Sequence, residues 1–116
     1  MRSWISIKKS ADFKRITTSG RKYVSPTFVL FLTKKTDGNN TYVGFTASRK
    51  VGNAVMRSRA KRRLRAALDE CVKAFDSQGT EIIVIARRSV IDIDFKALLE
   101  QLDKAVAFVR RQEKHS

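Results

Sequence analysis

Residues 81–88 read EIIVIARR, and the four consecutive apolar side chains from Ile82 to Ile85 decide the fold class. A strand with one face in water alternates apolar and polar residues, whereas an unbroken apolar run needs cover on both faces. We therefore expect this segment to form a central strand of a sheet that carries other elements on both of its sides.

Amphipathic segments before and after this strand predict the covering helices. In the first, apolar residues at helical spacing begin after Gly52 and Asn53, which resemble a helix start, and stop before Gly79. The second has an expected cap at Asp92 or Asp94. The apolar positions are Ala60, Leu64, Ala67, Leu68, Cys71, Val72 and Phe75 in the first segment, and Phe95, Leu98, Leu99, Leu102, Ala105, Val106 and Val109 in the second.

Two further segments in the first half of the chain are rich in β-branched and aromatic residues, which favour strands. In Tyr23–Thr33, Pro26 demotes the first part to an edge strand and leaves Thr27–Lys34 as the main strand. Thr41–Ser48 forms the next strand. The short polar turn at residues 37–40 predicts that these two strands pair as an antiparallel hairpin.

A short helix at Ser10–Thr18, which ends before Gly20, completes the order αβββαβα. We expect an α/β sandwich of the α+β class, with a small mixed, mostly antiparallel four-stranded sheet and three helices packed on it. With 116 residues and 42% apolar composition, residues 1–116 are predicted to form a single domain with frayed termini. Gly44, inside a strand, indicates a close approach by another backbone.

The charge of the chain is strongly one-sided. Lys and Arg number 25 against 11 Asp and Glu, and the resulting net charge of +14 favours a polyanionic partner over a small-molecule substrate. Cys71 is the one cysteine, so the chain has no internal disulfide. The sequence contains neither a signal-peptide pattern nor an apolar run of membrane-spanning length, and we expect a cytoplasmic protein without a membrane partner.

The positive charge is concentrated at residues 48–65, which read SRKVGNAVMRSRAKRRLR and contain eight Lys or Arg and no acid. Ala60 and Leu64 share one helical side and would anchor the segment to a core. A merely solvated helix would mix in acids as i, i+4 partners, whereas the planar fork of arginine suits phosphate. The pattern therefore predicts nucleic-acid binding. The side chains expected to face solvent are Arg59, Arg62, Arg63 and Arg65.

Aromatic side chains are the second requirement, because the bases of single-stranded nucleic acid stack on them. In the strand Thr27–Thr33, Phe28 and Leu30 alternate with Val29 and Phe31, so one of the two sets faces away from the main core. The alternation does not say which set this is. The candidates for stacking are Phe13, Phe28, Phe31, Tyr42 and Phe45.

No catalytic residue is predicted. The one histidine, His115, lies near the C-terminus and Cys71 lies on the apolar side of a helix, so no pair of nucleophile and base is visible. Asp92 and Asp94 are typical of helix caps rather than of metal ligands. We expect a protein that binds rather than cuts, with no metal site of its own.

Residues 48–55 (SRKVGNAV), together with the basic residues that follow, resemble the motif of the bacterial ribonuclease P protein subunit family. The similarity extends to Asp12 and Phe13 before Gly20, to the strand at Phe28–Leu30, and to Ala86–Arg88. It therefore covers most of the chain.

This resemblance implies an α/β sandwich in which the helix after residue 53 is reached by an uncommon left-handed crossover. It also implies the noncatalytic protein component of an endoribonuclease, whose RNA uses Mg²⁺ to remove the 5′ leader from precursor tRNA. The implied partners are the catalytic RNA, with one protein for each RNA, and the precursor tRNA.

The family's functional residues carry over position by position. Those implied to face the catalytic RNA are Arg57, Ser58, Arg59, Lys61, Arg62 and Arg65. Those implied to bind the single-stranded leader are Phe13, Phe31, Arg49, Lys50, Arg87 and Arg88. Two positions depart from the family pattern, since Ser58 stands where asparagine is usual and Thr17 where some relatives carry an aromatic residue.

Two other functions stay open on the sequence alone. A ribosomal or RNA-chaperone protein would also carry a basic helix but would have no role in cleavage. A stand-alone nuclease would need Asp92 and Asp94 as metal ligands.

Overall fold

A computed structural model describes residues 4–34, 40–72 and 79–114 and contains a five-stranded sheet with helices on both faces. The strands are β1 (Ile5–Ser6), β2 (Arg21–Val24), β3 (Phe28–Lys34), β4 (Tyr42–Ala47) and β5 (Thr80–Ala86). The α-helices are α1 (Ser10–Ser19), α2 (Ala54–Val72) and α3 (Phe95–Lys114), and a 3₁₀ turn at Arg88–Ile91 precedes α3. Most of the predicted turn at residues 37–40, and Phe75 of the predicted helix, lie outside the described residues.

Strand β5 is central, as its unbroken apolar run predicts. The strand order is β1-β4-β5-β3-β2, with β5 parallel to β4 and antiparallel to β3. Ile82, Ile83 and Val84 are fully buried, because successive side chains point to opposite faces and both faces are covered here. Helix α2 connects β4 to β5 as a parallel βαβ unit, whose left-handed sense stays a prediction from the resemblance.

The predicted hairpin between β3 and β4 is wrong, because β5 lies between these strands. A strand that is apolar on both faces gains most from a central place, and this gain outweighs the local preference for pairing across a short connection. The gap to be bridged is only two strand spacings, about 10 Å. The seven residues between Lys34 and Tyr42 span it easily.

The sheet has five strands rather than the expected four, because Ile5–Ser6 adds a short strand parallel to β4. A two-residue strand has no periodicity to detect, which explains why the sequence did not predict it. The pairs β1–β4 and β4–β5 are parallel, and β2–β3 and β3–β5 are antiparallel. The sheet is therefore mixed, as expected, with two parallel and two antiparallel strand pairs. The predicted edge strand before Pro26 is present as β2.

Helices cover the two faces of the sheet unequally. Helices α2 and α3 pack on one face and form the main core, to which β3 contributes Phe28 and Leu30. Helix α1 packs on the opposite face through Ile16, over a smaller cluster that includes Val29 and Phe31. The sequence did not say which of the two alternating sets faces away from the main core. In the structure this set is Val29 and Phe31.

The start of α2 depends on Gly52 and Asn53. Gly52 has φ +146°, a backbone conformation that favours glycine, and a Cβ at this position would lie 2.5 Å from Sδ of Met56. Oδ1 of Asn53 accepts a hydrogen bond from the backbone N–H of Met56 at 2.9 Å and so caps the helix. This pair therefore starts the helix, as its sequence predicts.

Cys71 packs in the main core, where it is 3% exposed. Burial, assisted by a hydrogen bond to Asp103, raises the pKa of its thiol to about 12. The thiol is therefore protonated at neutral pH, which agrees with a structural rather than a nucleophilic cysteine.

Candidate nucleic-acid interface

Helix α2 is anchored on one side and carries its basic residues on the others. Ala60, Leu64, Ala67 and Leu68 are fully buried in the main core. The remaining side chains must project sideways or outward from a helix held in place. None of the basic side chains at residues 57–65 forms an ion pair with a carboxylate that the structure describes. Their positive charge is thus uncompensated within the described part of the chain.

One flank of α2 carries Arg57, Lys61 and Arg65, which are four residues apart and half-buried. The guanidinium of Arg65 lies over the ring of Phe45 on β4, 5.5 Å from its centroid. The Nε of Arg57 is buried and has no hydrogen-bond partner among the described atoms. Burial of these stems restricts the charged ends, so the flank presents donors in set positions. Ser58 is exposed between this flank and the other.

The other flank carries Arg59, Arg62 and Arg63 and faces the start of α3. Nη1 of Arg63 donates hydrogen bonds to the backbone oxygens of Val90 at 2.7 Å and Ile91 at 2.8 Å. The predicted solvent-facing position of Arg63 is therefore wrong, because this side chain satisfies carbonyls at the end of the 3₁₀ turn. Arg59 and Arg62 are exposed, as predicted, whereas Arg65 on the first flank was also predicted to face solvent and is half-buried against Phe45.

Four basic residues lie where the C-terminal ends of two neighbouring strands, β4 and β5, form one end of the sheet. Because β4 and β5 are parallel neighbours, their C-terminal ends lie side by side. Arg49 and Lys50 follow β4, and Arg87 and Arg88 follow β5; all four are exposed. The backbone N–H of Arg87 donates to the oxygen of Thr27 at 3.0 Å, which holds this end of the chain in place. We call these four residues the basic edge.

A strip of the sheet beside α1 is only partly covered. Four residues lie in register across β2, β3, β5 and β4, and paired residues share a face, here the face on which α1 packs. They are three aliphatic residues, Val24, Val29 and Ile85, together with Thr46, and we call them the apolar strip. Val24 is 54% exposed and the other three are partly exposed. The strip lies next to the basic edge, since Ile85 is two residues before Arg87.

An ion pair attaches α1 near the opposite end of β5. Arg15 donates to both carboxylate oxygens of Glu81, at 2.8 and 2.6 Å, and the hydroxyl of Thr33 donates to the same carboxylate at 2.8 Å. The side chain of Glu81 is 5% exposed, and Arg15 also bonds Asp12 at 3.2 Å. The hydrogen bonds to Glu81 and then to Asp12 raise the pKa of Arg15 above its usual value. Helix α1 thus borders the apolar strip in a defined position.

The two aromatic residues predicted to stack on bases differ in exposure. Phe13 on α1 is half-buried, and a Cβ on Gly44 would lie 2.6 Å from Cζ of its ring. Gly44 therefore makes room for a side chain and not, as predicted, for another backbone. Phe31 is 8% exposed beneath α1, with Nζ of Lys22 5.9 Å from its ring centroid. The ring of Phe31 supports α1 and offers little free surface for stacking.

Asp92 and Asp94 lie just before α3, and the carboxylate of Asp94 is engaged with the backbone of this helix. Oδ2 of Asp94 accepts a hydrogen bond from the N–H of Ala97 at 3.4 Å, and Asp92 ends the 3₁₀ turn. His115 lies outside the described residues. Among the side chains that the structure describes, no three His, Cys, Asp or Glu are placed to hold a metal ion. No helix within the described ranges is long and apolar enough to cross a bilayer.

Three features of this surface escaped sequence reasoning. Arg15 and Glu81 are 66 residues apart, so no local pattern connects them. Lys22 was overlooked because its strand was predicted to begin one residue later. The apolar strip exists only through the register of four strands.

Comparisons with known proteins agree on one family. The family description Ribonuclease P matches residues 1–110. The ribonuclease P protein component of Paramagnetospirillum magneticum is 36% identical over 112 residues, covering 93% of this chain and 84% of that protein. That of Symbiobacterium thermophilum is 36% identical over 104 residues, covering 90% of each.

Solved structures of similar proteins have the same fold. A mutant ribonuclease P protein from Staphylococcus aureus, with defective mRNA degradation activity, superimposes with a TM-score of 0.73 at 31% identity and covers 90% of this chain and 87% of that one. The ribonuclease P protein from Thermotoga maritima also gives a TM-score of 0.73, at 24% identity, over 91% of this chain and 96% of its own. At that identity the second likeness bears on the fold alone.

Proposed function

The chain belongs to the ribonuclease P protein family, and from this premise we propose that it is the protein subunit of a ribonucleoprotein that removes the 5′ leader from precursor tRNA. The observation that carries the proposal is the surface of α2, where arginines with no carboxylate partner among the described residues project from a helix anchored in the core. A single domain, residues 1–116, performs this role in the cytoplasm, with one protein for each catalytic RNA.

In this proposal the catalytic RNA lies against α2. Phosphates pair with the guanidinium and ammonium groups on the outward side, since arginine donates in a fork that fits phosphate oxygens. Ser58, exposed between the two flanks, contributes one hydroxyl in place of the longer amide that is usual in the family. The residues assigned to this contact are Arg57, Ser58, Arg59, Lys61, Arg62 and Arg65.

The single-stranded leader lies along the apolar strip, between α1 and the basic edge. Unpaired bases have free faces that pack on apolar and aromatic surface, while their phosphates need nearby cations. The apolar strip offers a surface for the bases, and the basic edge offers cations for the phosphates. We assign base stacking to Phe13, and Phe31 supports α1 from below. The cations that border the leader are Arg49, Lys50, Arg87 and Arg88.

The chain supplies binding and orientation, and the proposal assigns no bond-breaking step to a protein side chain. In this proposal Mg²⁺ is held by the RNA and would supply charge stabilisation for phosphodiester hydrolysis. By binding both RNAs, the protein lowers the repulsion between two polyanions. Cleavage should then require less Mg²⁺.

Cleavage of precursor tRNA by the cognate RNA tests the proposal. At a Mg²⁺ concentration too low for the RNA alone, wild-type protein is expected to restore cleavage at the 5′ junction. Polylysine of equal total charge is the control for nonspecific screening. The proposal fails if the protein does not stimulate, or if polylysine stimulates equally. Strand annealing without stimulation would indicate an RNA chaperone, and cleavage by the protein alone that needs Asp92 and Asp94 would indicate a nuclease.

Phe13→Ala is expected to reduce the preference for precursor over mature tRNA about fivefold or more, since stacking on one base contributes ~1–3 kcal/mol. The measurement is the ratio of the two dissociation constants, determined with the same preparation of holoenzyme. This ratio cancels any loss of folded protein. Phe13→Tyr, which keeps an aromatic face, should retain the preference, and an unchanged ratio in Phe13→Ala would exclude Phe13 from leader binding.

A further inference from the structure

A groove runs between the flank of α2 that carries Arg59, Arg62 and Arg63 and the start of α3. It lies on the side of the molecule opposite to the apolar strip. Its volume is about 480 Å³, within the ~300–1,000 Å³ of pockets that hold small ligands. The residues that line it are Arg59, Arg62, Arg63, Ala66, Ile91 and Phe95. We call it the α2–α3 groove.

The charge of this groove is positive and uncompensated among the described residues. Arg63 is held by two backbone oxygens, which place its charge at the wall. Arg59 and Arg62 are exposed and form no ion pair with a described carboxylate. Two acids are adjacent along the chain to lining residues, Asp92 to Ile91 and Asp94 to Phe95, and neither lines the groove. An anionic ligand is therefore favoured.

The apolar part of the groove is Phe95 with Ile91. Phe95 is the first residue of α3 and is 37% exposed, although it is a large aromatic side chain. The cap at Asp94 keeps this first turn helical, so the ring projects from a defined position. A flat apolar surface beside two exposed guanidinium groups matches a nucleotide, which has a planar base and an anionic phosphate.

We propose that the α2–α3 groove binds one unpaired nucleotide of the partner RNA, with the base on Phe95 and the phosphate between Arg59 and Arg62. This inference rests on the proposed function and adds a stacking residue to it. An extruded base at this point adds a base contact to the electrostatic contact of α2, because phosphate contacts position the protein but carry no sequence information.

Phe95→Ala is the test, and Phe108→Ala is its matched control. Phe108 lies on the same helix about 20 Å away by helical rise, and it is 39% exposed, close to the exposure of Phe95. Affinity for the catalytic RNA is expected to fall about fivefold or more in Phe95→Ala, with an unchanged salt dependence, because stacking releases no counterions. Phe108→Ala should bind like the wild type, and Phe95→Tyr should restore affinity.

Fluorescence gives a second readout that a merely structural role would not move. The chain has one tryptophan, Trp4, which is 7% exposed. RNA should quench Phe95→Trp more strongly than Phe108→Trp, since a stacked base quenches indole. If RNA quenches Phe95→Trp and Phe108→Trp equally, or if Phe95→Ala binds the RNA as tightly as the wild type, this inference is overturned while the proposed function stands. If the wild-type protein does not bind the RNA, the proposed function is overturned as well. If polyglutamate quenches Phe95→Trp as strongly as RNA does, the groove binds an acidic protein partner instead.

Discussion

Replacing Arg57 and Arg62 together by alanine is expected to weaken binding to the catalytic RNA by roughly 25- to 60-fold at 0.1 M salt. Each lost phosphate contact removes about 0.7–0.9 from the slope of log affinity against log salt. For about six contacts the wild-type slope should be near −4 to −5, and the double variant should lose about 1.5 of it. The measurement is a series of binding titrations between low and physiological salt.

The matched control for this prediction removes two charges elsewhere. Lys34 and Lys104 are exposed and lie at the end of β3 and on α3, away from α2. Lys34→Ala with Lys104→Ala should change affinity far less. Lys34 and Lys104 are exposed, so their double variant should keep its unfolding free energy within about 0.5 kcal/mol. Arg57 and Arg62 have no ion pairs with described carboxylates, and their double variant should lose no more than about 1 kcal/mol, from packing of the half-buried Arg57 stem. Equal losses in the two double variants would mean that α2 is not the interface.

Arg15→Met is expected to lower the free energy of unfolding by about 2–3 kcal/mol, the largest stability effect of any substitution proposed for this chain. The carboxylate of Glu81 would lose its bidentate partner while remaining buried, and removal of one member of such a pair is costly. The side chain of Arg15 is itself 46% exposed, so we expect less than the full cost for a buried pair. Urea unfolding measures the change.

A double-mutant cycle separates this pair from simple loss of packing. Adding Glu81→Gln to Arg15→Met should recover about 1 kcal/mol or more, because a neutral amide is cheaper to bury than a carboxylate. Asp12→Asn is the control, since Asp12 meets the same arginine at the surface with 41% exposure and should cost less than about 0.5 kcal/mol. Equal effects of Arg15→Met and Asp12→Asn would contradict the anchoring role of Glu81.

Secondary structure and burial were predicted correctly where the spacing of apolar residues within one segment indicates which side of it is buried. The unbroken apolar run of β5 predicted its central place, and the i, i+3, i+4 spacing predicted α2 and α3. The hairpin prediction failed because it used the length of one connection and ignored competition among strands. Arg63 was misplaced for a similar reason, since its carbonyl partners belong to a turn that α2 meets only in the folded chain.

The sequence by itself determined the mixed sheet with helices on both faces and the helix that concentrates positive charge. Apolar periodicity sets which side of each element is buried, and the absence of acids from residues 48–65 leaves no local partners for the arginines. Only the tertiary structure decided that the apolar strip lies beside the basic edge, and that Phe95 meets the arginines of α2 across one groove. Both arrangements join residues from distant parts of the chain, and such contacts follow from strand order and helix packing rather than from local pattern.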